Sequence, residues 1–207
     1  MTEPNFNNLL KWSIENSEAS RTDPDAPKKA PTRIDPAVFK ALMGGPSDAD
    51  YMRMKMDVIT SDDATLEQKV RAFDDFEMLI ETIDNANNIA ALKLWDKLVA
   101  QLDHEEADIR KYAAWCAGTA VENNPKAQEK LMDHNAIPTL ARLATEDTDR
   151  DVRKKAIRAL SQVARNFQPG LDLVVEHIHP KFKPEGKLDA EDMASVDSLI
   201  LMLRETL

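Results

Sequence analysis

"DIRKYAAWCAGTAVEN", residues 108–123, lies without a gap on "DVRKKAIRALSQVARN", residues 151–166, at an offset of 43. Asp108 matches Asp151, Arg110 matches Arg153, Lys111 matches Lys154, Ala113 matches Ala156 and Asn123 matches Asn166. Within each copy the small and apolar positions fall at steps of four, three and four. They are Ile109, Ala113, Cys116 and Ala120 in one, and Val152, Ala156, Ala159 and Val163 in the other. That spacing marks the buried face of an α-helix. Before each copy lies a second apolar segment, "LWDKLVAQL" (94–102) and "AIPTLARLA" (136–144), at an offset of 42. A helical pattern returning every ~42 residues falls in the armadillo/HEAT range.

The pattern extends in both directions. "LEQKVRAFDDFEMLIETI" (66–83) is a weaker first copy, with Lys69 and Ala72 where Arg110 and Ala113 follow. Its stripe of Leu66, Val70, Phe73, Phe76, Ile80 and Ile83 predicts one continuous amphipathic helix. "KLDAEDMASVDSLILMLRETL" supplies a last helix to cap the stack, after "HIHPKFKPEGKLD" has broken the period. The expected fold is all-α: a right-handed armadillo/HEAT-like solenoid over residues 51–207, preceded by a flexible extension over 1–50. A stack of this kind exposes a long curved surface suited to binding.

Composition agrees. With 43% hydrophobic and 31% charged residues in 207, the chain suits one soluble domain and a tail. Five glycines are too few for the turn-punctuated strands of an all-β fold. One cysteine, Cys116, rules out a disulfide framework and fits a reducing compartment. The start "MTEPNFNNLLKW" has neither the basic region nor the apolar core of a signal peptide, and "LILML" is too short to span a bilayer. The expected location is the cytosol, with the nucleus as an alternative. A formal charge of −10 argues against nucleic acid as a partner. The charge is uneven: residues 61–105 hold eleven Asp/Glu against four Lys/Arg, and residues 106–166 hold eleven Lys/Arg against nine acids. Such a dipole can steer a protein partner, and solvated helix faces give similar numbers.

The first fifty residues read differently. "SEASRTDPDAPKKAPTRIDP" (17–36), with four prolines and few apolar side chains, is a disordered linker by composition. Upstream, "FNNLLKWSIENS" can form a short amphipathic helix that is too short to be stable alone. It reads either as a docking or mimicry element or as a helix folded back on the domain.

"DNANN" (84–88) interrupts the helical pattern with four weak helix formers. On repeat logic it ends the last helix of the first unit, as "VENN" and "VARN" end those of the next two. Recurring Asn at that place is either a helix C-cap or a ladder of donors and acceptors facing a partner. The ladder adds Asn123, Asn124, Arg165 and Asn166 as candidate contacts.

Enzymatic constellations are missing. The five glycines form no phosphate loop, there is no G-x-S-x-G elbow, and "HIHP" supplies too few ligands for a metal site. Cys116 on the inner face of a repeat helix reads as a packing residue. The expectation is a non-enzyme without cofactor or metal, acting on another protein.

"NLLKWSIENS", "LMGGP", "AFDDFEMLIETIDNANNIAALKLW" and "GTAVENN" together resemble the armadillo-type nucleotide exchange factors of cytosolic heat-shock protein 70 chaperones, the fungal Fes/HspBP group. The resemblance runs from about residue 8 to about residue 168. It implies a monomeric co-chaperone that grips the chaperone's ATPase domain with its concave face, parts the lobes and releases ADP. It makes Asp84, Asn85, Ala86, Asn87 and Asn88 part of that contact. It also gives the N-terminal segment, with Leu9, Leu10, Trp12 and Ile14, the role of mimicking chaperone substrate. The broken period after residue 168 departs from members with further repeats. The rival is an armadillo adaptor for extended peptides, which would place W-x-x-x-N on successive third helices. Here Trp115 is followed four residues on by Thr119, and residues 156–166 contain no Trp.

Overall fold

A computed structural model of the chain describes residues 12–14, 17, 45–205 and 207. The chain divides into two units between Ser47 and Asp48, and Asp48–Leu207 carries the repeats. Its helices are α1 Asp48–Ile59, α2 Leu66–Ile80, α3 Ile83–Ala91, α4 Trp95–Ala100 and α5 Ala107–Val121. There follow α6 Pro125–Asp133, α7 Ala136–Glu146, α8 Arg150–Ala164, α9 Gln168–His177 and α10 Met193–Arg204. No strand occurs among the described residues. The architecture is an armadillo-like helical stack. Helix α1 starts three residues ahead of the boundary the sequence pattern suggests, with Asp48 and Asp50 favourably placed in its first turn.

Local chemistry sets the helix ends. Thr65 and Gln68 form a reciprocal capping box at the start of α2, with bonds of 2.8 and 3.3 Å. Asp149 caps α8 by accepting from the Asp151 and Val152 amides. Asn124 caps α6, whose first residue is Pro125. Asn123 and Asn166, at φ 50° and 53°, take the left-handed turn that follows α5 and α8.

Helices α2, α5 and α8 lie side by side as the third helices of successive units, while α3, α6 and α9 stack along one edge. Small residues let α5 approach α8 closely: a Cβ on Gly118 would lie 3.1 Å from Ala159 Cα. The core runs from Met52 to Leu203, with Phe73, Phe76 and Trp95 almost wholly buried. Each such side chain contributes about 1.5–3 kcal/mol by burial. The stripe expected over 66–83 is interrupted. Helix α2 ends at Ile80, Leu66 is 40% exposed, and Ile83 opens the next helix at 58% exposure.

The repeated arginines clamp the stack. Arg110 Nη1 donates to the carbonyls of His104 and Glu105, at 2.9 and 2.6 Å. Arg153 Nη1 makes the same pair of bonds to Asp147 and Thr148, each 43 residues on, at 2.7 and 3.3 Å. Arg110 also forks onto Asp147, with Nε–Oδ2 at 2.7 Å and Nη2–Oδ1 at 3.0 Å, joining one unit to the next. Arg153 Nε is buried without a partner. The position 43 residues beyond Asp147 is Ala190, where the period has already broken.

Candidate partner-binding surface

The exposed sides of α2, α5 and α8, which pack in sequence, correspond to the face that lines the groove of an armadillo stack. On it Tyr112 and Trp115 stack with centroids 5.6 Å apart, and Tyr112 also meets the fully buried Phe73 at 6.0 Å. Lys155 Nζ sits 3.2 Å above the Trp115 ring, a cation–π contact from α8 to α5. Desolvation first, and then the neighbouring charge of Arg158, lower the Lys155 pKa from its ordinary value. Thr119 Oγ1 donates to Glu77 Oε1 at 2.7 Å, and Arg158 pairs with Glu122 at 3.3 Å. Asp74 and Glu81 lie toward the α2 side, and Lys154, Lys155 and Arg158 toward the α8 side. The local field therefore reverses across the face.

This surface has the makings of a protein contact. Cys116 is fully buried, its sulfur 3.8 Å from the Phe73 carbonyl, and burial pushes its thiol pKa well up. Among the described residues no group of three or more His, Cys, Asp or Glu side chains is placed to hold a metal ion, and no helix is long and apolar enough to cross a membrane. Thr119 stands where a peptide-binding armadillo groove would present Asn, and its hydroxyl is already engaged by Glu77.

"DNANN" is not the end of a helix. It forms the first half of α3, whose N-cap, Thr82, accepts from the Asn85 amide. Asp84 is exposed in the first turn, where the helix dipole favours a carboxylate. Asn85 is 7% exposed and faces inward. Its Nδ2 donates to Asp48 Oδ2 at 3.0 Å and to the Leu79 carbonyl at 2.9 Å, tying α1 and the end of α2 to α3. Two of the weak helix formers thus have tasks a turn would not give them. Ala86 is 3% exposed, and Asn87 and Asn88 are half-buried. Ala86 and Asn87 line a groove of ≈ 220 Å³ between α3 and α6.

The other candidates separate by environment. Asn123 and Asn166 are exposed, and their left-handed backbone accounts for recurring Asn. Asn124 is 4% exposed; its Oδ1 accepts from the Ala127 amide and its Nδ2 donates to the Ala120 carbonyl, so it works inside the chain. Arg165 is half-buried, bonded through Nε to Ser161 Oγ and paired with Asp197 of α10. Trp12 is half-buried and Ile14 exposed within a helical turn, whereas Leu9 and Leu10 lie outside the described residues. The row of Tyr112, Trp115 and Lys155 and the groove between α3 and α6 escaped sequence reading. The sole trace of the former was aromatic and basic residues at matched helical positions.

Two family descriptions match adjoining parts of the chain: "Nucleotide exchange factor Fes1" over residues 6–89, and "SIL1/FES1/HPBP1 C-terminal domain" over residues 85–176. The Hsp70 nucleotide exchange factor FES1 of Gibberella zeae is 53% identical over 99% of this chain and 98% of its own length. The chain belongs to the Fes1 family. Its similarity to family members in Coccidioides immitis is 48% identity over 98% of both chains, and in Neurospora crassa 39% over 98% and 97%. Two crystal structures of engineered proteins share the fold of this Fes1 relative. They have TM-scores of 0.57 and 0.58 at 18% and 19% identity, and cover 82% and 83% of this chain and 71% and 68% of theirs.

Proposed function

We propose that this chain is a nucleotide exchange factor: a non-enzymatic, monomeric co-chaperone of a cytosolic Hsp70 that binds its ATPase domain and speeds ADP release. The observation that carries this reading is 53% identity, over nearly the whole of both chains, to an Hsp70 nucleotide exchange factor. The α2–α5–α8 face grips the ATPase domain through the Tyr112–Trp115–Lys155 row. Asp84, Asn87, Asn88, Asn123, Asn166 and Arg165 flank it, while Asn85, Ala86 and Asn124 shape the contact from within. Such a protein binds the open form of the ATPase domain more tightly than the closed form and so shifts the population toward it. A differential of about 1.4 kcal/mol raises the open-to-closed ratio tenfold. The N-terminal segment, with Leu9, Leu10, Trp12 and Ile14, occupies the chaperone's substrate site and helps clear it.

Linkage supplies the test. If the factor weakens ADP binding, ADP weakens factor binding by the same ratio. Titration of an Hsp70 ATPase domain with this chain should give an affinity at least about tenfold higher without ADP than with saturating ADP. Equal affinity in the two conditions sinks the exchange reading and leaves an adaptor.

A further inference from the structure

Lys155 is a half-buried cation to which no Asp or Glu among the described residues comes within ion-pair distance; its Nζ rests on the Trp115 ring instead. The acids around it are engaged elsewhere. Asp108 pairs with Lys111 at 2.5 Å, Glu122 pairs with Arg158 at 3.3 Å, and Glu77 accepts from Thr119 at 2.7 Å. Desolvation, then the like charges of Arg158, Lys154 and Lys111, press on the Lys155 ammonium, and Glu77 opposes them. A cation so placed gains when an anion is brought to it.

The ring fixes where that anion can sit. The face of an indole is negative, so a carboxylate cannot lie on Trp115 itself. It must meet Nζ from the side away from the ring, at the surface of the α5–α8 seam. Trp115 also holds the ammonium in place before binding, which spares part of the side-chain ordering that an interface otherwise costs. Lys111 and Arg158 already have acids of their own, so Lys154 and Lys155 remain to receive a ligand. Two such amines suit one carboxylate, not a run of phosphates. Across the same face, on α2, the exposed Asp74 and Glu81 repel an acidic group.

We propose that Lys155, with Lys154 beside it, is the seat for one carboxylate side chain of the Hsp70 ATPase domain and fixes the direction in which that domain lies across the α2–α5–α8 face. This rests on the exchange-factor reading and adds the chemistry and the polarity of the contact.

Carbodiimide coupling tests it on the unmodified chain, because it joins an amine to a carboxylate in contact with it. The complex with an Hsp70 ATPase domain, coupled, digested and mapped by mass spectrometry, should contain Lys154 or Lys155 joined to an Asp or Glu of that domain. A coupled complex in which neither lysine is joined to the domain overturns the proposal. Two variants then separate charge from packing: Lys155→Arg keeps a cation on the ring, and Lys155→Met keeps the apolar stem alone. In calorimetry, on protein of parental helical spectrum, Lys155→Met should bind at least about tenfold more weakly while Lys155→Arg retains binding. Parental affinity in Lys155→Met, or an equal loss in both variants, shows that Lys155 serves as a cover for Trp115 and overturns the proposal. The exchange-factor reading fails separately, on an ADP off-rate that the unmodified chain leaves unchanged.

Discussion

Removing the Asp147 carboxylate should cost about 3 kcal/mol of stability at the boundary between units. Asp147 is 4% exposed at its side chain and Arg110 15%, and the two meet through a two-pronged contact. Breaking a buried pair by deleting one partner typically costs 3–5 kcal/mol, because a charge is left uncompensated. In Asp147→Ala, Arg110 keeps its bonds to the His104 and Glu105 carbonyls, so the low end, about 3 kcal/mol, applies. For a domain of this size that is a fall of roughly 6–12 °C in melting temperature. The pH dependence gives a second reading. Burial by itself raises the Asp147 pKa, but the Arg110 hydrogen bond, the Asp149 amide and the nearby arginine charges outweigh it, and the net shift is downward. A depressed folded pKa means that the contribution is complete above the unfolded value of about 3.9 and is lost as pH falls through the folded one. Thermal melts of parent and variant should therefore differ by a constant amount above about pH 5 and converge below about pH 3.9. A loss under 3 °C at neutral pH, or a gap unchanged in acid, would refute the reasoning.

Gly118→Val places a branched side chain where even a Cβ lies 3.1 Å from Ala159 Cα; it should destabilise by about 1–3 kcal/mol in denaturant titration, and a stability equal to the parent's would mean that α5 and α8 separate freely. Lys155→Glu reverses a charge resting on the Trp115 ring; it should leave the helical spectrum intact and weaken binding to an Hsp70 ATPase domain at least about tenfold, an effect that parental affinity in calorimetry would exclude. Deleting residues 1–40 removes nothing from the core cluster, which among the described residues begins at Met52. The melting temperature and ADP exchange should be retained while release of a bound polypeptide from the chaperone slows, and a sharply lowered melting temperature would show the segment to be part of the packed domain.

The repeat was legible in the sequence because packing between units demands small residues at fixed places. Ala113, Cys116, Ala120 and their counterparts 43 residues on are buried, and the intervening Gly118 touches α8. Arg110 and Arg153 were visible as a coincidence; their clamp on the preceding loop carbonyls is long-range geometry that spacing cannot reveal. "DNANN" misled because propensity makes Asp and Asn turn residues. The local signal was Thr82 three residues before Asn85, a cap at the start of α3 instead of a stop at the end of α2. Asn85 reaches Asp48, 37 residues away, which no local rule anticipates.

The most direct test of the account is the rate at which labelled ADP leaves an Hsp70 ATPase domain when excess unlabelled ATP and increasing amounts of this chain are added in a stopped-flow instrument. The chain should accelerate release at least about tenfold, a lowering of the barrier by about 1.4 kcal/mol, and the rate should saturate as the complex fills. It should bind no labelled nucleotide itself. An ADP off-rate that stays unchanged at saturating chain would contradict the account.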